Sequence, residues 1–303
     1  MDSRMHVRLI EIKQDLPGFD PFFGSWVCQD DLNIVVDVGP ASTAGRLIDS
    51  LLSLGLRRVD FVLLTHIHID HSGALADLLE CYPMAKAICH EKAVENIVNP
   101  SKLWAGSLKV LGEIAEAYGP PKPIPTEKLI PHTQNHLRDL SVIETPGHAP
   151  HHLSYSLGNH LFAGEAGGNY FVIEGKEYLR PATPPRFIFD VCLKSVDRLL
   201  SLKDQTMCYA HYGGAESSHR LLKAFRNQLI RWKDIIGELA AGTVAADPDF
   251  IEECTNALLE KDPNLAAFDS MDTDTRRRER TFIGNAINGF VGWLHEDMQA
   301  LDR

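Results

Sequence analysis

Residues 63–73 read Leu63-Leu64-Thr65-His66-Ile67-His68-Ile69-Asp70-His71-Ser72-Gly73. Three imidazoles and one carboxylate fall within six consecutive positions, directly after the apolar, partly β-branched run Val59, Phe61, Val62, Leu63 and Leu64. Such a run reads as a fully buried strand. Neutral imidazole is the commonest metal ligand in proteins, and a carboxylate beside it supplies the negative charge that a divalent cation needs. His66 and His68 alternate, which in an extended chain turns both rings to one side. Asp70 and His71 then turn toward a neighbouring position. Four donors on so tight a turn cannot all converge on one tetrahedral centre, so the spacing suits two adjacent metal ions.

The stretch from Thr65 to His71 resembles the His-x-His-x-Asp-His signature of the metallo-β-lactamase superfamily of hydrolases, and three later stretches resemble that family in its own order. Thr145-Pro146-Gly147-His148 resembles the loop that bears the third histidine of the first metal. Leu161-Phe162-Ala163-Gly164-Glu165 resembles the strand end bearing the carboxylate that bridges both metals, and Tyr209-Ala210-His211-Tyr212-Gly213 the strand end bearing the last histidine. The resemblance implies an α+β chain, an αββα four-layer sandwich of two β-sheets flanked by helices, with the metal site along one edge. It implies two divalent metal ions: His66, His68 and His148 on the first, Asp70, His71 and His211 on the second, and Glu165 between them. Zinc suits these donors, as do iron and manganese. Glu165 stands where the family pattern expects Asp. Asp37-Val38-Gly39-Pro40 resembles the family's Asp-x-Gly turn, whose Asp orients ligand groups.

What the resemblance implies for function is a metal-dependent hydrolase, in which a hydroxide held between the metals cleaves a small ester, lactone or thioester and Asp70 carries the proton to the leaving group. Substrate contacts are expected at Tyr170, Tyr178, Arg180, Arg186 and Tyr212, with Arg180 or Arg186 pairing a substrate carboxylate. Two alternatives stay open on the same fold. One is a non-catalytic or regulatory metal-binding ligand sensor. The other is a di-iron redox protein, whose relatives carry a carboxylate where this chain has His68.

With 303 residues the chain sits near the ceiling for a single hydrophobic core. We therefore expect a catalytic domain over 1–214 and an appended C-terminal helical segment over 215–303; resemblance to glyoxalase II-like and related esterases implies a lid over the metal site, and a homodimer contact is the alternative. Acidic residues outnumber basic ones 41 to 30, a formal net charge of -11. That balance argues against nucleic acid or an anionic membrane as the main partner, and the small-molecule substrate is what the resemblance implies. Six cysteines are scattered with no Cys-x-x-Cys pair, as in a reducing cytoplasm. The first residues lack the apolar core of a signal peptide, and no run is long enough to cross a bilayer, so a soluble, cytoplasmic protein is expected.

Along the chain, Ser25–Cys28 and Asn33–Asp37 read as a hairpin, and Ser42 or Thr43 caps a helix carrying Leu47, Ile48, Leu51 and Leu52. A helix is expected over 72–79, and another over 102–118 as one wall of the pocket. His90 reads as structural, His132 and His136 as solvated, His151 as a surface residue and His152 as holding its loop. Tyr178, Arg180 and Arg186 fall in a proline-rich loop. Beyond His211, Leu222, Phe225, Leu229, Trp232, Ile236 and Leu239 recur at steps of three and four, an apolar stripe along one helix. Two more helices follow, and Gly284, Gly289 and Gly292 in the last suggest close packing against another helix.

Overall fold

Runs rich in β-branched and aromatic residues, separated by turn residues, build the first sheet. β1 (His6–Ile12) pairs antiparallel with β2 (Phe23–Gln29), which turns at Asp30-Asp31 into β3 (Asn33–Val36). The chain then crosses over through α1 (Ala44–Ser53) to the parallel strand β4 (Phe61–Leu63). α2 (Ile69–Ser72) and α3 (Leu75–Cys81) lead to β5 (Lys86–Cys89); α4 (Val94–Val98), α5 (Ser101–Leu111) and α6 (Glu113–Tyr118) lead to β6 (Leu129–Pro131), also parallel. The computed structural model describes residues 5–184, 187–240 and 247–301.

The second sheet starts with the meander β7 (Leu140–Glu144), β8 (Leu153–Leu157) and β9 (His160–Gly164). A hairpin of β10 (Asn169–Ile173) and β11 (Lys176–Arg180) stands apart from it. After α7 (Phe189–Leu200), β12 (Thr206–Tyr209) joins β9 in parallel and β13 (Gly214–Ala215) closes that edge. Helices α8 (Ser218–Ala240), α9 (Pro248–Lys261) and α10 (Thr273–Leu301) complete the described chain.

Strand alternation sorts the core into layers. Ile34, Val36 and Leu63 of the first sheet meet Leu153, Tyr155, Phe162 and Cys208 of the second, forming the filling of the sandwich. Val35 and Val62 point the other way, into a cluster shared with the helices. A sheet buried on both faces needs near-continuous apolar strands, which is why β3 and β4 show little polar alternation. The Tyr155 hydroxyl donates to Leu64 O at 2.7 Å and Trp26 Nε1 to Tyr209 O at 2.8 Å, locking the two sheets at one edge. The result is the expected α+β sandwich with C-terminal helices.

Several local expectations are corrected. Residues 102–118 form two helices, because the chain breaks at Gly112 with φ +54°. Tyr178 and Arg180 lie on a strand, since Glu174 and Gly175 both take positive φ and close a tight hairpin. Thr43 does not cap α1 with its side chain, and its hydroxyl donates to Pro40 O. A Cβ on Gly284 would meet Ile251 of α9, as helix packing requires, whereas one on Gly289 would meet the carbonyls of Thr183 and Pro184 in a loop.

The stripe along α8 is buried inside the chain: Leu222, Phe225, Leu229, Trp232 and Ile236 join one hydrophobic cluster with Ile12, Val62, Ile287 and Phe290. Asp262 staples this region. Its carboxylate is fully buried and accepts from Gln228 Nε2 at 2.6 Å, Trp232 Nε1 at 2.7 Å and Arg231 Nη1 at 2.9 Å. Asp262→Ala removes the acceptor of Trp232 and Arg231 and one of the two acceptors of Gln228, and is expected to lower stability by about 3–5 kcal/mol. Thermal melting checks this; a cost below about 1 kcal/mol would mean that the staple is not a stabilising contact. Among the described residues no helix is long and apolar enough to cross a membrane.

Candidate metal centre

The site forms where the chain leaves β4, β7, β9 and β12. Asp37, held at φ +54°, organises the first of these exits. Its carboxylate accepts from Thr65 N at 2.8 Å and Thr65 Oγ1 at 2.7 Å, and Oδ2 lies 3.3 Å from His71 Nδ1. A carboxylate only accepts, so His71 carries its proton on Nδ1. Thr65 Oγ1 gives its proton to Asp37 and therefore accepts from His66 Nδ1 at 3.0 Å. His148 Nδ1 donates to Ala182 O at 2.8 Å. In all three rings the Nδ1 proton faces outward and Nε2 faces inward. The buried Nε2 atoms of His66 and His71 have no hydrogen-bond partner in the protein.

These inward nitrogens converge. One ligand atom from each of His66, His68, His148 and Glu165 lies within 4.8 Å of the others, and the same holds for Asp70, His71 and His211. Glu165 stands between the groups. Oε2 is 2.7 Å from His148 Nε2, 3.3 Å from His66 Nε2 and 3.7 Å from His71 Nε2, while Oε1 is 3.1 Å from His211 Nε2. The longer side chain thus reaches both groups. Imidazoles whose outer nitrogen is anchored by a carboxylate, hydroxyl or carbonyl, with the inner one turned into the site, are what divalent metal ions require.

The loop bearing Glu165 is fixed by a proton chain. Glu165 N donates to His152 Nε2 at 3.0 Å, so His152 Nδ1 donates to Thr145 Oγ1 at 2.8 Å, Thr145 to Ser154 Oγ, and Ser154 to Ala163 O. A Cβ on Gly164, at φ +60°, would run into His152. Glycine is therefore required for this approach.

Burial, then the neighbouring imidazoles, push His66 and His68 well below the ordinary histidine range. They stay neutral, the form that binds metal. Burial raises the Glu165 carboxyl, but His148 and His211 outweigh it and hold the group well below the usual carboxylate range. Burial likewise opposes a charge on His71, yet Asp70, Asp37 and Glu165 lift it to about 9. A buried, ionised Glu165 beside the neutral His66 and His68 is a donor set that a cation would match.

Other residues fall differently from expectation. Arg180 is buried, and its Nε donates to Glu279, so it does not await a substrate carboxylate. Tyr178 is fully buried beside Phe171. Tyr170 and Tyr212 line a cavity of about 280 Å³ with Asp20, Phe171, Asp272 and Arg278. The Tyr170 hydroxyl is taken by Glu177 at 2.8 Å. Arg186 lies outside the described residues. His151 is half-buried, with its ring 6.1 Å from that of His68.

His132 is not solvated: its ring packs 4.5 Å from that of His90, and Nε2 lies 3.1 Å from Glu144. His90, His132 and Glu144 make a third group of potential ligands with the opposite polarity. Both Nδ1 atoms accept backbone N–H groups, from Lys92 and Glu91, so the ring protons sit on Nε2 toward Glu144. That pattern is a hydrogen-bonded brace, with no lone pair turned to a cation.

Sequence reading missed Phe22 and Phe23, whose rings back His211 at 4.4 and 5.3 Å. It also missed Tyr118, fully buried against Phe23 with an unpartnered hydroxyl. The apolar pair Phe22-Phe23 beside a buried strand was the available signal.

Residues 24–211 match the family model described as the metallo-beta-lactamase superfamily. A metallo-beta-lactamase fold-containing protein of Sulfurisphaera tokodaii is 30% identical over 230 residues, covering 73% of this chain and 83% of that protein. A hydroxyacylglutathione hydrolase of Cupriavidus taiwanensis is 30% identical over 218 residues, 70% of each chain. The crystal structure of an archaeal metallo-beta-lactamase superfamily protein from Sulfolobus tokodaii superimposes with a TM-score of 0.62 at 26% identity, over 85% of this chain and 98% of that one.

Proposed function

Because this chain belongs to the metallo-beta-lactamase superfamily, we propose that it is a dinuclear metal-dependent hydrolase of small esters, lactones or thioesters. The observation that carries this reading is the common orientation of His66, His71 and His148, each with Nδ1 anchored outside and Nε2 turned in. His66, His68 and His148 would hold one ion and Asp70, His71 and His211 the other, with Glu165 between. Five imidazoles and two carboxylates form a nitrogen-rich set that suits zinc. When bound, such ions lower the pKa of a water toward neutrality and polarise a carbonyl.

The protein's own groups do the rest. His68, Asp70 and His148 are partly exposed while Glu165, His66, His71 and His211 are buried, so the site is open on the side of Asp70. A carboxylate on that rim can take a proton from water and deliver it to a leaving alkoxide or thiolate. The likeness to a hydroxyacylglutathione hydrolase supports thioesters among the substrates. All six cysteines are free, five of them buried, which supports a reducing compartment such as the cytoplasm.

Elemental analysis of protein purified without added metal is expected to give about two equivalents per chain, and turnover of an ester, lactone and thioester panel is expected to vanish with a chelator. Zero metal with every ligand intact would overturn the metal centre. Two metals with no turnover across the panel would favour a ligand sensor.

A further inference from the structure

A second set of buried polar side chains reaches Glu165 from outside the histidine cluster. The turn after Glu165 is closed by Gly168 N donating to Glu165 O at 3.1 Å. Gly168 has φ +77°, and a Cβ there would stand 2.6 Å from Arg180 O. β10 therefore starts hard against β11, with Asn169 opposite Arg180 in the antiparallel register. Asn169, Arg180 and Glu279 are all buried. The Asn169 amide orientation that satisfies both of its ends has the nitrogen donating to Glu165 Oε1 at 3.1 Å and to Gly168 O at 3.3 Å. Its oxygen then accepts from Arg180 Nη1 at 3.3 Å and Nη2 at 3.2 Å. Arg180 Nε donates to Glu279 Oε2 on α10, and Glu279 Oε1 accepts from Arg278 Nε at 2.9 Å.

A buried triad of two arginines and one glutamate is a poor source of stability, since apolar replacements of such groups are often neutral or better. Its placement supplies another reason for it. A guanidinium set directly on Glu165 would fork onto both carboxylate oxygens and compete with cations for their charge. Asn169 interposes a neutral amide that holds Oε1 alone and leaves Oε2 turned toward His148, His66 and His71. The charge on Arg180 polarises that amide and strengthens its donation. Glu has one more rotatable bond than the Asp expected here, and a longer ligand gains more from being fixed.

We propose that Asn169 and Arg180 are positioning residues through which helix α10 fixes the metal-facing carboxylate. Glu279 holds Arg180, Arg180 holds the Asn169 amide, and the amide holds Glu165 Oε1. This rests on the metal-centre reading given above.

The test is the zinc dissociation constant of Asn169→Ala and Arg180→Lys, measured by competition with a chromophoric chelator alongside thermal melting of the chelated proteins. Asn169→Ala is expected to bind zinc about 10- to 100-fold more weakly. Arg180→Lys keeps a charge beside Glu279 but loses the fork, and about tenfold is expected. Arg220→Ala removes an exposed ion pair to Glu177 on the same hairpin and serves as control, with parental affinity expected. Parental affinity in Asn169→Ala, or an equal loss in Arg220→Ala, would overturn the proposal. If Asn169→Ala does not fold, Arg180→Lys decides, and parental zinc affinity there overturns it too. A parental protein that binds no zinc removes the metal centre itself, an outcome distinct from a parent that binds and variants that match it.

Discussion

Ending the chain after Gly214 is expected to leave it insoluble, with no cooperative melting transition. The helices beyond that point do not merely rest on a finished domain. Leu222, Phe225, Leu229, Trp232, Ile236, Ile287 and Phe290 are buried in the same cluster as Val35, Leu47 and Val62. Each such side chain contributes about 1.5–3 kcal/mol on full burial, so the set is as large as the roughly 5–15 kcal/mol net stability of a typical domain. Polar ties go with them: Gln228 Nε2 donates to Leu179 O at 2.6 Å, and Arg278 donates to Gly18 O. The Phe22 ring that backs His211 is stacked on Phe282 of α10 at 5.6 Å and has the Arg278 guanidinium 4.1 Å from its centroid. Uncovered, Phe22, Phe171 and Tyr178 would form a contiguous apolar face of the kind that drives aggregation. Expression of residues 1–214 with measurement of solubility and melting decides the matter. A soluble truncation that melts cooperatively and binds two metals would make the helices an independent lid.

The histidine cluster was legible in the sequence because its chemistry is local. His66, His68, Asp70 and His71 lie on one turn, and His148, Glu165 and His211 each follow an apolar run that reads as a strand. Long-range pairings were not legible. Arg180 resembles any cation in a polar stretch, and its partner Glu279 lies 99 residues away. His90 and His132 are separated by 42 positions, so neither shows on its own that the two rings meet. Ring tautomers, which separate the metal-facing histidines from the brace on Glu144, depend on backbone groups that composition cannot place. The β10–β11 hairpin hid behind Glu174-Gly175, because a non-glycine residue at positive φ carries little signal in advance.

Glu165→Gln is expected to empty the second metal position and to lower turnover by roughly 100-fold or more, beyond what loss of an outer hydrogen bond to a ligand costs. The substitution keeps shape and backbone. Glu165 N still donates to His152, and Gly164 still permits that approach, so the loop stays in place. What disappears is the charge between His148 and His71 on one oxygen and beside His211 on the other. Two cations held close together would repel, and Glu165 would be the group that offsets this repulsion. A neutral amide offers one oxygen with little charge and presents an NH₂ to the other side. Glu165→Asp makes the opposite change, keeping the charge and drawing the carboxylate back by roughly 1 Å. It is expected to retain both metals with weaker affinity, because the shorter side chain gives up the Asn169 contact that fixes Oε1. Metal content and turnover measured together for both variants separate charge from reach. Two metals bound with parental affinity and normal turnover in Glu165→Gln would remove Glu165 from the centre.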